Sequence, residues 1–165
     1  RLGITGDALK QMETMLTQSL SMMRYLIPMA LVAGSVILAL FNFLLARTIL
    51  ARLGGTYPGF PPFSTWGLPR TAALGYLAGA VFLVASNYTG QEVWKHIGIN
   101  VQAIFQLAIL VQGLAVAWYF MEVYQLAKGL RILVAFLTFF TPLFGQALFF
   151  IGLFDLFFDF RRPRV

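Results

Sequence analysis

The chain alternates between long runs almost free of charge and short polar or basic segments. Four such runs cover about residues 25–46, 71–87, 99–124 and 131–157. Each is near the ~20 residues that an α-helix needs to cross a ~30 Å hydrocarbon core. The pattern predicts an all-α fold: an integral membrane helical bundle of about four transmembrane helices, forming a single membrane domain over residues 1–165. A different periodicity precedes the first run. Over residues 4–24, Leu9, Met12, Leu16, Leu20 and Met23 recur at steps of three and four, with Asp7, Lys10, Gln11, Gln18 and Ser21 on the other side. This predicts an N-terminal amphipathic helix. It either lies in the membrane interface or serves as a polar lead-in to the first span, packed on other helices.

The interruptions carry more information than the runs. Pro28 falls in the first turn of span one, where a missing N–H costs little. Asn42 is that span's one strongly polar interior residue, and Arg47 and Arg52 close it with stems long enough to reach headgroups. Residues 54–70 read GGTYPGFPPFSTWGLPR, whose prolines and glycines forbid a regular helix. Its rings, Tyr57, Phe60, Phe63 and Trp66, suit the headgroup level. The segment reads as an interfacial connector, with a lid or docking loop as the functional alternative. Trp94, beside Lys95 and His96, marks another interface.

Span two carries Gly75 and Gly79 four residues apart, a spacing that lets another helix come close. Span three is the most polar. Gln102, Gln106 and Gly113 share one face, and Gln112 lies to its side. Amides in lipid need partners that the bilayer does not offer, so this face is expected to turn inward. It would line a ligand pocket or make interhelical hydrogen bonds worth about 0.6 to 2 kcal/mol each. In the last run Pro142 removes an i→i−4 bond, and Thr138, Thr141 and Gln146 surround it. One span kinked at Pro142 is the expectation; two half-helices, as in transporter binding sites, are the competing picture. Asp155 and Asp159, with Arg161 and Arg162, read as interfacial ion pairs at the membrane exit rather than as a catalytic carboxylate pair.

Composition narrows the function. Only 11% of residues are charged, against about 25% in soluble domains. The net charge of +6 is carried by Lys and Arg flanking the spans, which suits anionic headgroups and not nucleic acid. With no Cys and a single His, thiolate chemistry and a His-based metal site are excluded. No catalytic residues, metal or cofactor are expected, and no enzyme. No GxxxxGK[ST] motif is present, so the chain cannot itself draw energy from ATP. The first residue is Arg1, and the chain is expected to be part of a longer protein. If all four runs cross, basic residues divide seven to five in favour of both termini in the cytoplasm. A chain that turns back at Pro142 would favour a cytoplasmic first loop instead.

Several segments occur together in order: an amphipathic lead-in and a span, then PPFSTWGLPR (residues 61–70), LVQGLAVAWYF (residues 110–120) and GLFDLFFDFRR (residues 152–162). From about residue 10 to residue 162 the chain resembles the YybS-like family of predicted bacterial multi-spanning membrane proteins, a domain of unknown function. The resemblance implies that this is the C-terminal portion of a longer chain in the bacterial cytoplasmic (inner) membrane. It also implies a distant similarity to the substrate-binding components of energy-coupling-factor vitamin transporters, hence a ligand-binding bundle served by other membrane subunits or a separate energising module. The residues themselves suggest where an unidentified small molecule would sit: Gln102, Gln106 and Gln112, with Asn42, Trp118 and Gln146. The alternative is a non-transporting scaffold or assembly partner that binds other proteins through its helix faces.

Overall fold

The computed structural model describes residues 6–55 and 58–161, without the Phe139 side chain. Tyr57 and Arg162, both read as interfacial, lie outside the described residues. Five α-helices and a 3-10 turn account for the architecture: α1 (Gly6–Arg52), the turn Phe63–Thr65, α2 (Thr71–Thr89), α3 (Glu92–Val123), α4 (Lys128–Phe140) and α5 (Pro142–Phe158). The fold is an all-α membrane bundle.

The amphipathic lead-in is not a separate helix. With 47 residues, α1 is roughly 70 Å long at 1.5 Å per residue, more than twice a hydrocarbon core. It runs unbroken through Arg24 and Pro28 because α3 repairs the ladder beside the proline. The Asn100 Oδ1 accepts the Met29 N–H at 2.9 Å, and its Nδ2 donates to the Tyr25 carbonyl at 2.7 Å. No residue of α1 is buried, and the helix meets the bundle mainly through α3.

Helices α2 and α3 form an antiparallel hairpin. Gly90, at φ 66°, closes α2 by donating its N–H to the Ser86 carbonyl, a left-handed position that favours glycine. Gly79 lies against the α3 backbone, where a Cβ would come within 2.6 Å of the Gln102 nitrogen, and Gly75 sits under the Phe105 ring. Gly98 of α3 faces Leu83 in return. Small residues at these points bring the two backbones together.

The last apolar run does not form one kinked span. Helix α4 ends at Phe140, Thr141 is extended (φ −122°, ψ 109°) and α5 starts at Pro142; the axes differ by 102°. The cause is steric. Proline disfavours the α conformation in the residue before it, while its own fixed φ suits the first position of a new helix. The start of α4 is tied to the end of α3: Arg131 pairs with Glu122 at 3.3 Å, and Trp118 Nε1 donates to the same carboxylate at 3.0 Å. The tail beyond α5 reaches the first loop, where Arg161 donates to the Ser64 and Trp66 carbonyls. The start of α4 and the tail beyond α5 therefore both lie beside the first loop, and α4–α5 is a sharply bent helix pair. Among the described residues three helices, α1, α2 and α3, are long and apolar enough to cross, or four if the bent pair α4–α5 counts as one span. Arg161 lies beside the first loop, at the end of the bundle away from Lys95.

The core centres on α3. Ile109 and Val116 are fully buried, and Ala72 and Ala73 of α2 and Phe149 and Leu156 of α5 pack with Ile109. Where α3 crosses α5, Gly113 and Gly152 face the opposite backbone. A Cβ on Gly113 would run into the Leu148 carbonyl, and one on Gly152 into that of Ile109.

Candidate functional site

The crossing at Gly113 brings its neighbour Gln112 between α5 and the first loop. Gln112 is 4% exposed. Its Oε1 accepts the Leu68 N–H at 2.8 Å, and its Nε2 donates to Asp155 Oδ2 at 2.6 Å. Asp155, 3% exposed, also accepts Arg161 Nη2 at 3.0 Å on Oδ2 and the Phe160 N–H at 3.0 Å on Oδ1. Arg161 Nη1 donates to the Ser64 carbonyl at 2.9 Å and to the Trp66 carbonyl at 2.5 Å. Three segments far apart in sequence meet in one network.

Local structure aims each member. The C-cap of α5 is Asp159 at φ 52°, ψ 58°, whose N–H is donated to the Asp155 carbonyl. Asp tolerates this left-handed conformation better than most residues, and the resulting turn folds Arg161 back over Asp155. The carbonyls it meets are presented by the 3-10 turn. That turn is held by the Trp66 Nε1 bond to the Pro61 carbonyl at 3.1 Å and by packed rings. Phe63 lies edge-on to Trp66 and to Trp118, and Phe60 edge-on to Phe43 of α1.

A carboxylate covered this well must be paired and hydrogen-bonded. Among the described residues no buried side-chain nitrogen or oxygen lacks a partner. The Asp155–Arg161 ion pair expected at the membrane exit is formed, and it is buried. Helix α5 exits beneath the first loop, and the loop covers the pair.

One face of the network is open. It walls a half-open cavity of about 750 Å³, completed by Thr65, Gly67, Leu68, Pro69, Arg70, Tyr119, Leu156 and Asp159.

Of the six residues read as pocket candidates, only Gln112 lines this cavity. Gln106, Asn42 and Gln146 are exposed and Gln102 is half-buried beside Gly79. Trp118 gives its N–H to Glu122 and its ring to Phe63. The structure does not gather the six, because glycine contacts, not the amides, decide which faces of α3 are covered. Gly98 faces α2 and Gly113 faces α5, leaving Gln106 on the bare side. Gly75 and Gly79 face α3. Trp94 stacks on Phe82 at 5.5 Å. The sequence reading missed Ser64 and Arg70 as lining residues. It also missed Asp155 as a buried group, although an acid at the end of a long apolar run is a signal of function.

A second polar station lies at the other end of α3. Tyr25 donates its hydroxyl to Glu92 at 2.8 Å, and Lys95 and His96 flank its ring. With Asn100, these residues clamp α1 rather than line a cavity.

Comparison with known proteins agrees with a membrane protein. The sequence matches the family described as "Predicted membrane protein (DUF2232)" over residues 1–156. It is 28% identical over 160 residues to the uncharacterized protein YybS of Bacillus subtilis (strain 168), a similarity covering 97% of this chain and 51% of that protein. The chain thus spans about half the length of the curated relative it matches. No solved structure matches it. With membrane-length apolar helices and a family match over nearly its whole length, the chain is a multi-pass membrane protein and belongs to the DUF2232 family of predicted membrane proteins.

Proposed function

We propose that the chain is the ligand-holding part of a bacterial inner-membrane protein that binds or transports a small molecule. The observation that carries this reading is the cavity of about 750 Å³ against the Gln112–Asp155–Arg161 network. Its size falls within the ~300–1,000 Å³ of small-molecule sites. Its wall is preorganised, since each of those three side chains is fixed by hydrogen bonds to another segment. Irregular backbone at a sharply bent helix pair is also typical of places where membrane proteins line a site. With no nucleotide-binding motif in the chain, transport would need an energising partner.

A re-entrant α4–α5 pair also revises the expected orientation. Arg47, Arg52, Arg70, Lys128, Arg131 and Arg161 lie toward the loop end, and Lys10, Arg24 and Lys95 toward the other. By the positive-inside rule the loop end is cytoplasmic. The cavity then opens at the cytoplasmic face, and the start of α1 lies across the membrane.

Native mass spectrometry of the full-length protein in nanodiscs tests the binding reading. A small molecule retained by the wild type and lost from Gln112→Leu is expected. A wild type that carries none, and that no candidate solute stabilises, would sink the idea. A second reading, a scaffold for other membrane subunits, is favoured by α1, which buries no residue along its whole length.

A further inference from the structure

Resting on the small-molecule reading, we infer that the ligand of this cavity presents an anionic group, a carboxylate or a phosphate, to Arg70 and Tyr119. The argument follows from which polar atoms are already used. Both Asp155 oxygens accept hydrogen bonds, and both ends of the Gln112 amide are engaged. The Ser64 and Trp66 carbonyls are taken by Arg161. The charges of Asp155 and Arg161 offset each other at 3.0 Å. Asp159, the other acid on the wall, has an interaction of its own.

What remains uncommitted is on the donor side. Arg70 lines the cavity, is exposed, and makes no ion pair or side-chain hydrogen bond among the described residues. Its guanidinium offers five N–H donors in a planar fork, always charged, that matches a carboxylate or phosphate. The half-buried Tyr119 adds a hydroxyl that is likewise without a hydrogen-bond partner among the described residues. Arg70 also immediately precedes α2, whose N-terminus contributes a positive field. A neutral or cationic guest would leave the Arg70 charge unmatched, whereas an acceptor-rich anion uses it.

The same chemistry is offered by a soluble anion and by an anionic lipid headgroup, and two arms separate them. In the first, the full-length protein in phosphatidylcholine nanodiscs is titrated with sodium phosphate and sodium acetate against sodium chloride at matched ionic strength, with thermal unfolding as the readout. In the second, nanodiscs of phosphatidylcholine alone are compared with nanodiscs also containing phosphatidylglycerol. Stabilisation in the first arm identifies a soluble anion; stabilisation confined to the second identifies a headgroup. In either case Arg70→Gln should weaken the response roughly tenfold or more, the scale of a charge-assisted hydrogen bond. Arg70→Lys should keep part of it, and Tyr119→Phe should weaken it a few-fold. Arg52→Gln, outside the cavity, controls for general charge. The inference is overturned if neither arm exceeds its control or if Arg70→Gln responds as the wild type does. A neutral or cationic molecule found by native mass spectrometry would overturn the anion and leave the small-molecule reading standing. A cavity that holds nothing in any of these measurements would end both.

Discussion

Truncating Asp155 to Ala should be the most damaging single change at the network. It strips the acceptor from Arg161 Nη2, from the Gln112 amide and from the Phe160 N–H at once. The Arg161 side chain, only 13% exposed, keeps its charge and two carbonyl contacts. Leaving one member of a buried pair uncompensated costs about 3–5 kcal/mol. Neutral interhelical hydrogen bonds in membranes are worth only about 0.6–2 kcal/mol, so the stranded charge, not the lost amide bond, sets the scale. Because Arg161 retains the Ser64 and Trp66 carbonyls, the lower end applies, and Asp155→Ala is expected to lose about 3 kcal/mol. Asp155→Asn keeps the shape and one acceptor and should lose about 1–2 kcal/mol. Combining it with Arg161→Gln should restore part of the deficit, giving a coupling of roughly 1 kcal/mol or more. Equilibrium unfolding in mixed detergent micelles measures all three. An Asp155→Ala loss below about 0.5 kcal/mol, the scale of an ordinary surface change, would show that the carboxylate is hydrated and the network not buried.

Two further perturbations test how the site is held. Gly113→Ala drives a Cβ into the Leu148 carbonyl, so α3 and α5 must separate; a loss of about 1–3 kcal/mol is expected, with weaker ligand retention, and unchanged unfolding would contradict the crossing. Asn100→Ala removes the amide spliced beside Pro28; faster hydrogen exchange at the Met29 amide and a loss of about 1–2 kcal/mol are expected, and unchanged exchange would show that α1 does not depend on α3.

The sequence reading succeeded where the physics is local. Uncharged runs of membrane length define α2 and α3 to within a few residues, except that α3 starts earlier, at Glu92, because Trp94 and Lys95 continue the helix into the interface. It failed where the answer depends on contacts distant in the chain. Gln102, Gln106 and Gln112 look equivalent as amides, and only the glycine contacts with α2 and α5 separate the buried one from the exposed one. Asp155 and Arg161 look like exit charges until residues 64–68 cover them. The Pro142 break rested on Thr141: weighing the lost hydrogen bond alone suggests a kink, whereas the steric restriction on the preceding residue ends the helix. The continuity of α1 depended on Asn100, which nothing near Pro28 in the sequence reveals.

The network, the cavity and the orientation all depend on α4 and α5 returning the chain to the first loop. The chain contains no Cys, so single-cysteine variants at Thr65, Gly90, Lys128 and Phe160 can be labelled with a membrane-impermeant maleimide from each side of oriented vesicles. Labelling of Thr65→Cys, Lys128→Cys and Phe160→Cys from one side, and of Gly90→Cys from the other, is the expected result. Labelling of Phe160→Cys from the same side as Gly90→Cys would mean that the last run crosses the membrane, and would contradict the account at its foundation.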